Sequence, residues 1–149
     1  MHPHPFFAAL IKRCPELEGL RVTQIPNEKW HGLSLYVEPP DGAGLDHGLG
    51  IEFVDDEVSI ALDHAHVHLG WAPDLYLENP EDAAWFNEPL LMIEGLLREE
   101  IVACSGWRDD HLAIGCFHLA DTVPDLIIPG IIARRTRSWR GRYNRDEKI

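Results

Sequence analysis

The chain has 149 residues, 45% of them apolar and 26% charged, and 13 Lys/Arg against 25 Asp/Glu give a net charge of −12. That length suits one domain with a single core, the composition excludes a disordered polymer, and no apolar run is long enough to cross a bilayer. The charge is uneven, with 6 basic against 23 acidic side chains over residues 1–133 and 7 against 2 over residues 134–149; so acidic a body excludes nucleic acid and anionic membranes as general partners and favours a basic protein.

In chain order, Met1-His-Pro-His-Pro-Phe-Phe7 has no basic segment leading into an apolar stretch, so no secretory signal is expected and a cytoplasmic location is the default. Pro5 then opens a short amphipathic helix over 5–13, with Phe6, Phe7 and Leu10 as its buried stripe, ended by Cys14-Pro15. The segment Leu20–Ile25 is weakly alternating and reads as extended. Gly32–Glu38 is a clearer strand with Leu33, Leu35 and Val37 on one face. Pro39-Pro-Asp-Gly-Ala-Gly44 is a loop.

The stretch from Gly48 to Trp71 is the most informative. A two-residue turn at Asp55-Asp56 sets Ile51 opposite Ile60 and Phe53 opposite Val58, all on one face. Beyond Leu62 the apolar parity inverts, from Val58, Ile60 and Leu62 to Ala65, Val67 and Leu69. A continuous strand needs a bulge to do this, expected near Asp63-His64. The polar row then contains His64, His66 and His68. Alternate strand residues stand about 6.6 Å apart, so two of the three can share an ion and all three cannot. The same register sets His47 opposite His64. His47, His64 and His66 with Asp63, or with Asp46 nearby, form a possible site for zinc or another divalent ion. The competing reading is a solvated polar row with its histidines hydrogen-bonded to Asp63 or Asp46, and no cofactor.

Asn79-Pro-Glu-Asp82 starts a helical turn over about 81–86. Asn87 caps the principal helix, about 88–98, with Pro89 tolerated in its first turn and Leu90, Ile93, Leu96 and Leu97 facing the core. Two strands follow, Glu100–Ser105 and His111–Leu119, around a turn at Arg108-Asp109-Asp110. The paired carboxylates Asp55-Asp56-Glu57, Glu81-Asp82, Glu99-Glu100 and Asp109-Asp110 sit at turns and helix ends, where acids serve structure. Cys14, Cys104 and Cys116 are odd in number and lack CxxC spacing, which points to free thiols, with Cys104 and Cys116 as small strand hydrophobes. No nucleophile elbow or phosphate loop is present, so an enzymatic role is disfavoured.

The last strand, Gly130–Gly141, concentrates Arg134, Arg135, Arg137 and Arg140 with Trp139, followed by Arg142, Tyr143 and Arg145. Charge on both faces suggests an edge strand, and the tail from Tyr143 is expected to fray. These arginines either bridge to the acidic body or bind an anion. Trp30, Trp71 and Trp107 lie near strand ends, in the core or at an interface. The elements add up to an α+β fold over 1–149: a mainly antiparallel sheet, one principal helix packed on a face, and a short N-terminal helix.

Asp63-His64-x-His66-x-His68, then a helix, then Arg137-Ser-Trp-Arg-Gly-x-Tyr143 resembles small bacterial immunity proteins of polymorphic-toxin and contact-dependent inhibition loci, over about residues 48–143. The resemblance implies a non-enzymatic cytoplasmic protein that binds one cognate toxin, and the acidic body suits a basic, nuclease-type one. Candidate contacts are Asp55, Asp56, Glu57, His64, His66, His68, Arg137 and Trp139. The alternative is a metal-binding protein or metal-dependent hydrolase at the His47/His64/His66 cluster.

Overall fold

The inverted apolar parity after Leu62 is produced by a chain reversal and not by a bulge. In a computed structural model of the protein, which describes residues 5–19, 22–27, 32–54, 57–70, 88–122 and 129–149, Asp63-His64 is a two-residue turn between β4 (Glu57–Leu62) and β5 (Ala65–Gly70). Asp63 takes the left-handed conformation that such a turn needs, φ 53°. Antiparallel pairing then sets Val58 against Leu69, Ile60 against Val67 and Leu62 against Ala65. Even positions on one strand and odd positions on the next thus share one face, which is what the parity change encoded. The expected register of the preceding hairpin is present, with Ile51 paired to Ile60 and Phe53 to Val58 between β3 (Leu49–Val54) and β4. Its turn residues, Asp55 and Asp56, lie outside the described residues.

With β1 (Val22–Asn27) and β2 (Gly32–Val37), these strands make a five-stranded antiparallel meander in sequence order. Its inner face carries Leu35, Val37, Leu49, Ile51, Phe53, Val58, Ile60, Leu62 and Ala65, all buried. α1 (Pro5–Arg13) and α2 (Glu88–Leu97) complete this core, α1 with Ala9 and Leu10 and α2 with Leu90, Ile93, Leu96 and Leu97. The core stripe of α2 is the one its periodicity predicts. At ten residues against nine, however, α2 is scarcely longer than α1. The helical turn expected over 81–86 and the cap at Asn87 lie outside the described residues, as do Trp30 and Trp71.

A second antiparallel sheet, not foreseen as separate, follows α2. It has the order β7-β6-β8-β9, formed by β6 (Ile101–Arg108), β7 (His111–Leu119), β8 (Ala133–Arg137) and β9 (Arg145–Lys148). The arginine-rich last strand is therefore shorter than expected and internal: β8 pairs with β6 on one side and β9 on the other. The tail does not fray, because β9 returns antiparallel to β8 and sets Glu147 against Arg134. The two sheets meet where β5 runs against β7. Gly115 makes that approach possible, since a Cβ on it would lie 1.9 Å from the His64 carbonyl oxygen. Among the described residues, no helix is long and apolar enough to cross a membrane.

Where α2 ends, Glu99 N–H donates to the Leu96 carbonyl and Glu100 N–H to the Gly95 carbonyl, the paired bonds of a Schellman motif. Glu99 occupies the left-handed position of that motif, φ 59°, where glycine is usual. The conformation is held by tertiary contacts. The Glu99 side chain is buried, and its Oε1 accepts from Ser138 Oγ (2.8 Å), Arg140 N–H (2.8 Å) and Arg142 N–H (3.2 Å). Residues 138–144 thus leave the sheet to wrap a carboxylate. Asn144 braces the loop from inside, accepting from Ser138 N–H and donating to the Ala43 carbonyl.

Candidate functional site

The polar cluster of the chain forms at the Asp63-His64 turn, against the 41–47 loop and β8. His47 and His64 do come together, with ring centroids 5.2 Å apart and edge to face, and Trp107 meets the other side of His64 at 5.0 Å. His64 Nε2 lies 2.9 Å from Asp46 Oδ2. The Asp46 backbone N–H donates to Asp63 Oδ1 at 2.8 Å, fixing the two carboxylates side by side. Among the described residues, Asp46, Asp63 and His64 are the group of three whose donor atoms all lie within 4.8 Å of one another.

The metal set read from the sequence, His47, His64, His66 and Asp63, is therefore not the set assembled. Because the chain reverses at 63–64, His66 lies on β5 with its ring 5.4 Å from that of His68, and both are exposed. The assembled cluster also holds a cation of its own. Arg135 reaches in from β8, with NH1 2.9 Å from Asp46 Oδ2 and NH2 3.4 Å from Asp63 Oδ1. Hydrogen bonds from His64 and then from Arg135 hold the Asp46 carboxyl below its ordinary value. The Asp63 side chain is only 2% exposed, and a carboxylate so buried needs a positive partner. A divalent ion here would have to displace that guanidinium.

The other arginines of β8 are engaged in the same way. Arg137 NH1 lies 2.8 Å from Asp146 Oδ1, and its Nε donates to the Gly44 carbonyl at 3.2 Å. Arg134 Nε lies 2.7 Å from Glu147 Oε2. Trp107 and Ala133 line an open groove of about 500 Å³ together with the acids Asp109, Asp110, Asp146 and Glu147 and the basic residues Arg134, Arg135, Arg137 and Lys148. Asp109 and Asp110 have no ion-pair partner among the described residues.

The candidate contact residues do not form one patch. Glu57 and His68 sit away from the Asp63-His64 turn along the β4–β5 hairpin, His68 about 13 Å and Glu57 about 20 Å from it at about 3.3 Å per residue. There His68 Nδ1 lies 2.8 Å from Glu57 Oε1 and 2.7 Å from Ser59 Oγ, all on the exposed face. Arg137 is mostly buried in its own contacts, with its side chain 11% exposed. Trp139 is a correction: at 2% exposure it fills the core beside α2, because the chain has left the sheet by Ser138 and the strand alternation that would have aimed it outward no longer applies. Sequence reading missed the joint role of Asp46 and Arg135. Asp46 was legible as the neighbour of His47, but Arg135 lies 89 residues away in the chain.

Asp46→Asn is expected to lower stability by no more than about 1 kcal/mol, since the lost charge is half exposed and screened. Urea midpoints at low ionic strength and at about 1 M salt check this, and the difference between variant and parent should shrink in salt.

The fold and this cluster define a two-sheet α+β protein in which Arg135 of β8 pairs with Asp46 and Asp63 of the acidic body, while Arg134 and Arg137 pair with Glu147 and Asp146 on the neighbouring β9. Comparisons with family models, with curated proteins and with solved structures find no match for this chain.

Proposed function

We propose that the protein is a cytoplasmic binding protein of the immunity type, which neutralises a basic, nuclease-type toxin by covering it with an acidic surface. The observation that supports this most is the internal use of the arginines. Arg134, Arg135 and Arg137 each face a carboxylate of the same chain, so the β8 arginines are spent on the fold, and the 23 acidic side chains of residues 1–133 outnumber the basic ones there by 17. Glu57, Asp109, Asp110 and Asp146 are all exposed, and the last three border the groove beside Trp107. Trp107 beside Asp109 and Asp110, the two groove acids with no ion-pair partner among the described residues, suits a lysine- or arginine-bearing loop of a partner. The same pairing weighs against an anion-binding role for the β8 arginines, since an incoming phosphate would have to break existing ion pairs.

The test is binding to a basic toxin domain encoded by the adjacent gene. Stoichiometric binding is expected, with an association rate that falls steeply with ionic strength and with toxin activity lost in the complex. Asp109→Lys/Asp110→Lys should weaken it at least about tenfold through charge reversal in the groove. Failure to bind, or binding indifferent to both salt and the double reversal, rejects the reading.

A further inference from the structure

The face of the second sheet that carries Cys104 holds three metal-ligating side chains away from the cluster described above. Register sets Cys104 directly against Cys116 across β6 and β7, and against Thr136 across β6 and β8. Side chains of directly opposed residues stand about 5 Å apart at Cβ and share a face. His118, two residues beyond Cys116 on β7, shares that face too, and its Nε2 lies 3.1 Å from Cys116 Sγ. The Thr136 hydroxyl, on the far side of Cys104, is buried and lacks a partner of normal hydrogen-bond geometry. Cys116, Cys104 and Thr136 therefore stand in one row across the sheet, with His118 beside Cys116 on the same face.

We propose that Cys104, Cys116 and His118 bind a zinc-type divalent cation, a function distinct from the Asp46/Asp63/His64 cluster. Two thiolates and one imidazole are a zinc donor set, and the two negative charges neutralise the ion in a half-buried place. Cys116 and His118 are partly exposed and give an entry path, while Cys104, at 1% exposure, is the inner ligand. Burial raises both thiols, Cys104 to about 11, and lowers His118. Binding breaks both S–H bonds and releases two protons to solvent, with the ion supplying the driving force. Binding requires the three donor atoms to draw together, since they do not lie within 4.8 Å of one another without an ion. The CxxC rule misses such a site because its ligands come from paired strands, not from one knuckle.

Cobalt(II) is the probe, added to reduced full-length protein carrying no affinity tag. One equivalent should give the near-ultraviolet absorption of a thiolate-to-cobalt charge transfer, and zinc should bleach it. Cys116→Ser, at a partly exposed position, should remove the band. His118→Ala should weaken binding at least about tenfold. Cys14→Ser and His64→Ala should leave both unchanged, separating this site from the third thiol and from the polar cluster. Histidines elsewhere can bind cobalt but cannot give a thiolate band. The proposal is overturned if reduced protein shows no such band, if the band survives Cys116→Ser, or if mass spectrometry finds Cys104 and Cys116 joined as a disulfide in reducing buffer.

Discussion

Gly115→Ala is expected to destabilise the protein by about 3–5 kcal/mol, beyond the usual range for adding one methyl group. The new Cβ would stand 1.9 Å from the His64 carbonyl oxygen and 3.0 Å from the Ala65 Cα. Both obstacles are backbone, so no side chain can turn aside, and relief requires β7 to move away from the β4–β5 turn. That shift also loosens His64 against Trp107 and Arg135 against Asp63, so the polar cluster should open along with the packing. Against a typical total of about 5–15 kcal/mol, such a loss leaves little folded protein at elevated temperature. Urea midpoints and near-ultraviolet dichroism, to which Trp107 contributes with the other aromatic side chains, are the measurements. A midpoint within a few tenths of a molar of the parent would show that the sheets do not meet here.

Glu99→Ala is expected to lose about 2–4 kcal/mol, because it strands three donors that now share one carboxylate oxygen: Ser138 Oγ and the N–H groups of Arg140 and Arg142. Glu99→Gly should be milder by about 1 kcal/mol, since glycine is at ease in the left-handed backbone at φ 59° that alanine resists. That order, with glycine better tolerated than alanine, separates backbone strain from the lost cage. Burial pushes the Glu99 carboxyl up, but hydrogen bonds from Ser138, Arg140 and Arg142 outweigh it and leave it below the ordinary 4.5. A carboxyl lowered in the folded state contributes stability that is fully present above pH 4.5 and is lost as pH falls through the folded value. Glu99→Gln should therefore flatten the acid limb of the stability curve. A residual slope will remain from Asp46, Asp146 and Glu147, also lowered by hydrogen bonds from His64, Arg137 and Arg134 respectively, but more exposed. An unchanged acid limb in Glu99→Gln would contradict the cage.

The Arg137–Tyr143 motif illustrates how a pattern can be noticed and still be misread. Its arginines and aromatics look like a binding strand when laid out on a period of two. The structure gives Ser138 and the Arg140 and Arg142 backbone to Glu99, and Trp139 to the core. Nothing local announces this, because Glu99 lies about forty residues upstream and reads as one half of an acidic helix end. The cross-strand opposition of Cys104 and Cys116 was hidden for a related reason. It depends on the register around the Asp109-Asp110 turn, with its irregularity between Gly106 and Trp107, which slides β7 along β6 by one residue.

The sequence by itself determined the local elements: the hairpin register of β3 and β4, the core stripe of α2, the strands on either side of Asp109-Asp110, and the segregation of charge. Each follows from alternation, helical period or turn chemistry, which act over a few residues. The tertiary structure alone decided that the apolar parity change at Leu62 is a chain reversal, that the strands divide between two sheets, and that Arg135 reaches both Asp46 and Asp63. A parity inversion is satisfied equally by a bulge and by a two-residue turn, and only the packing of β5 against β4 and β7 selects the turn. An arginine chooses its carboxylate by distance in space, which the order of residues does not contain.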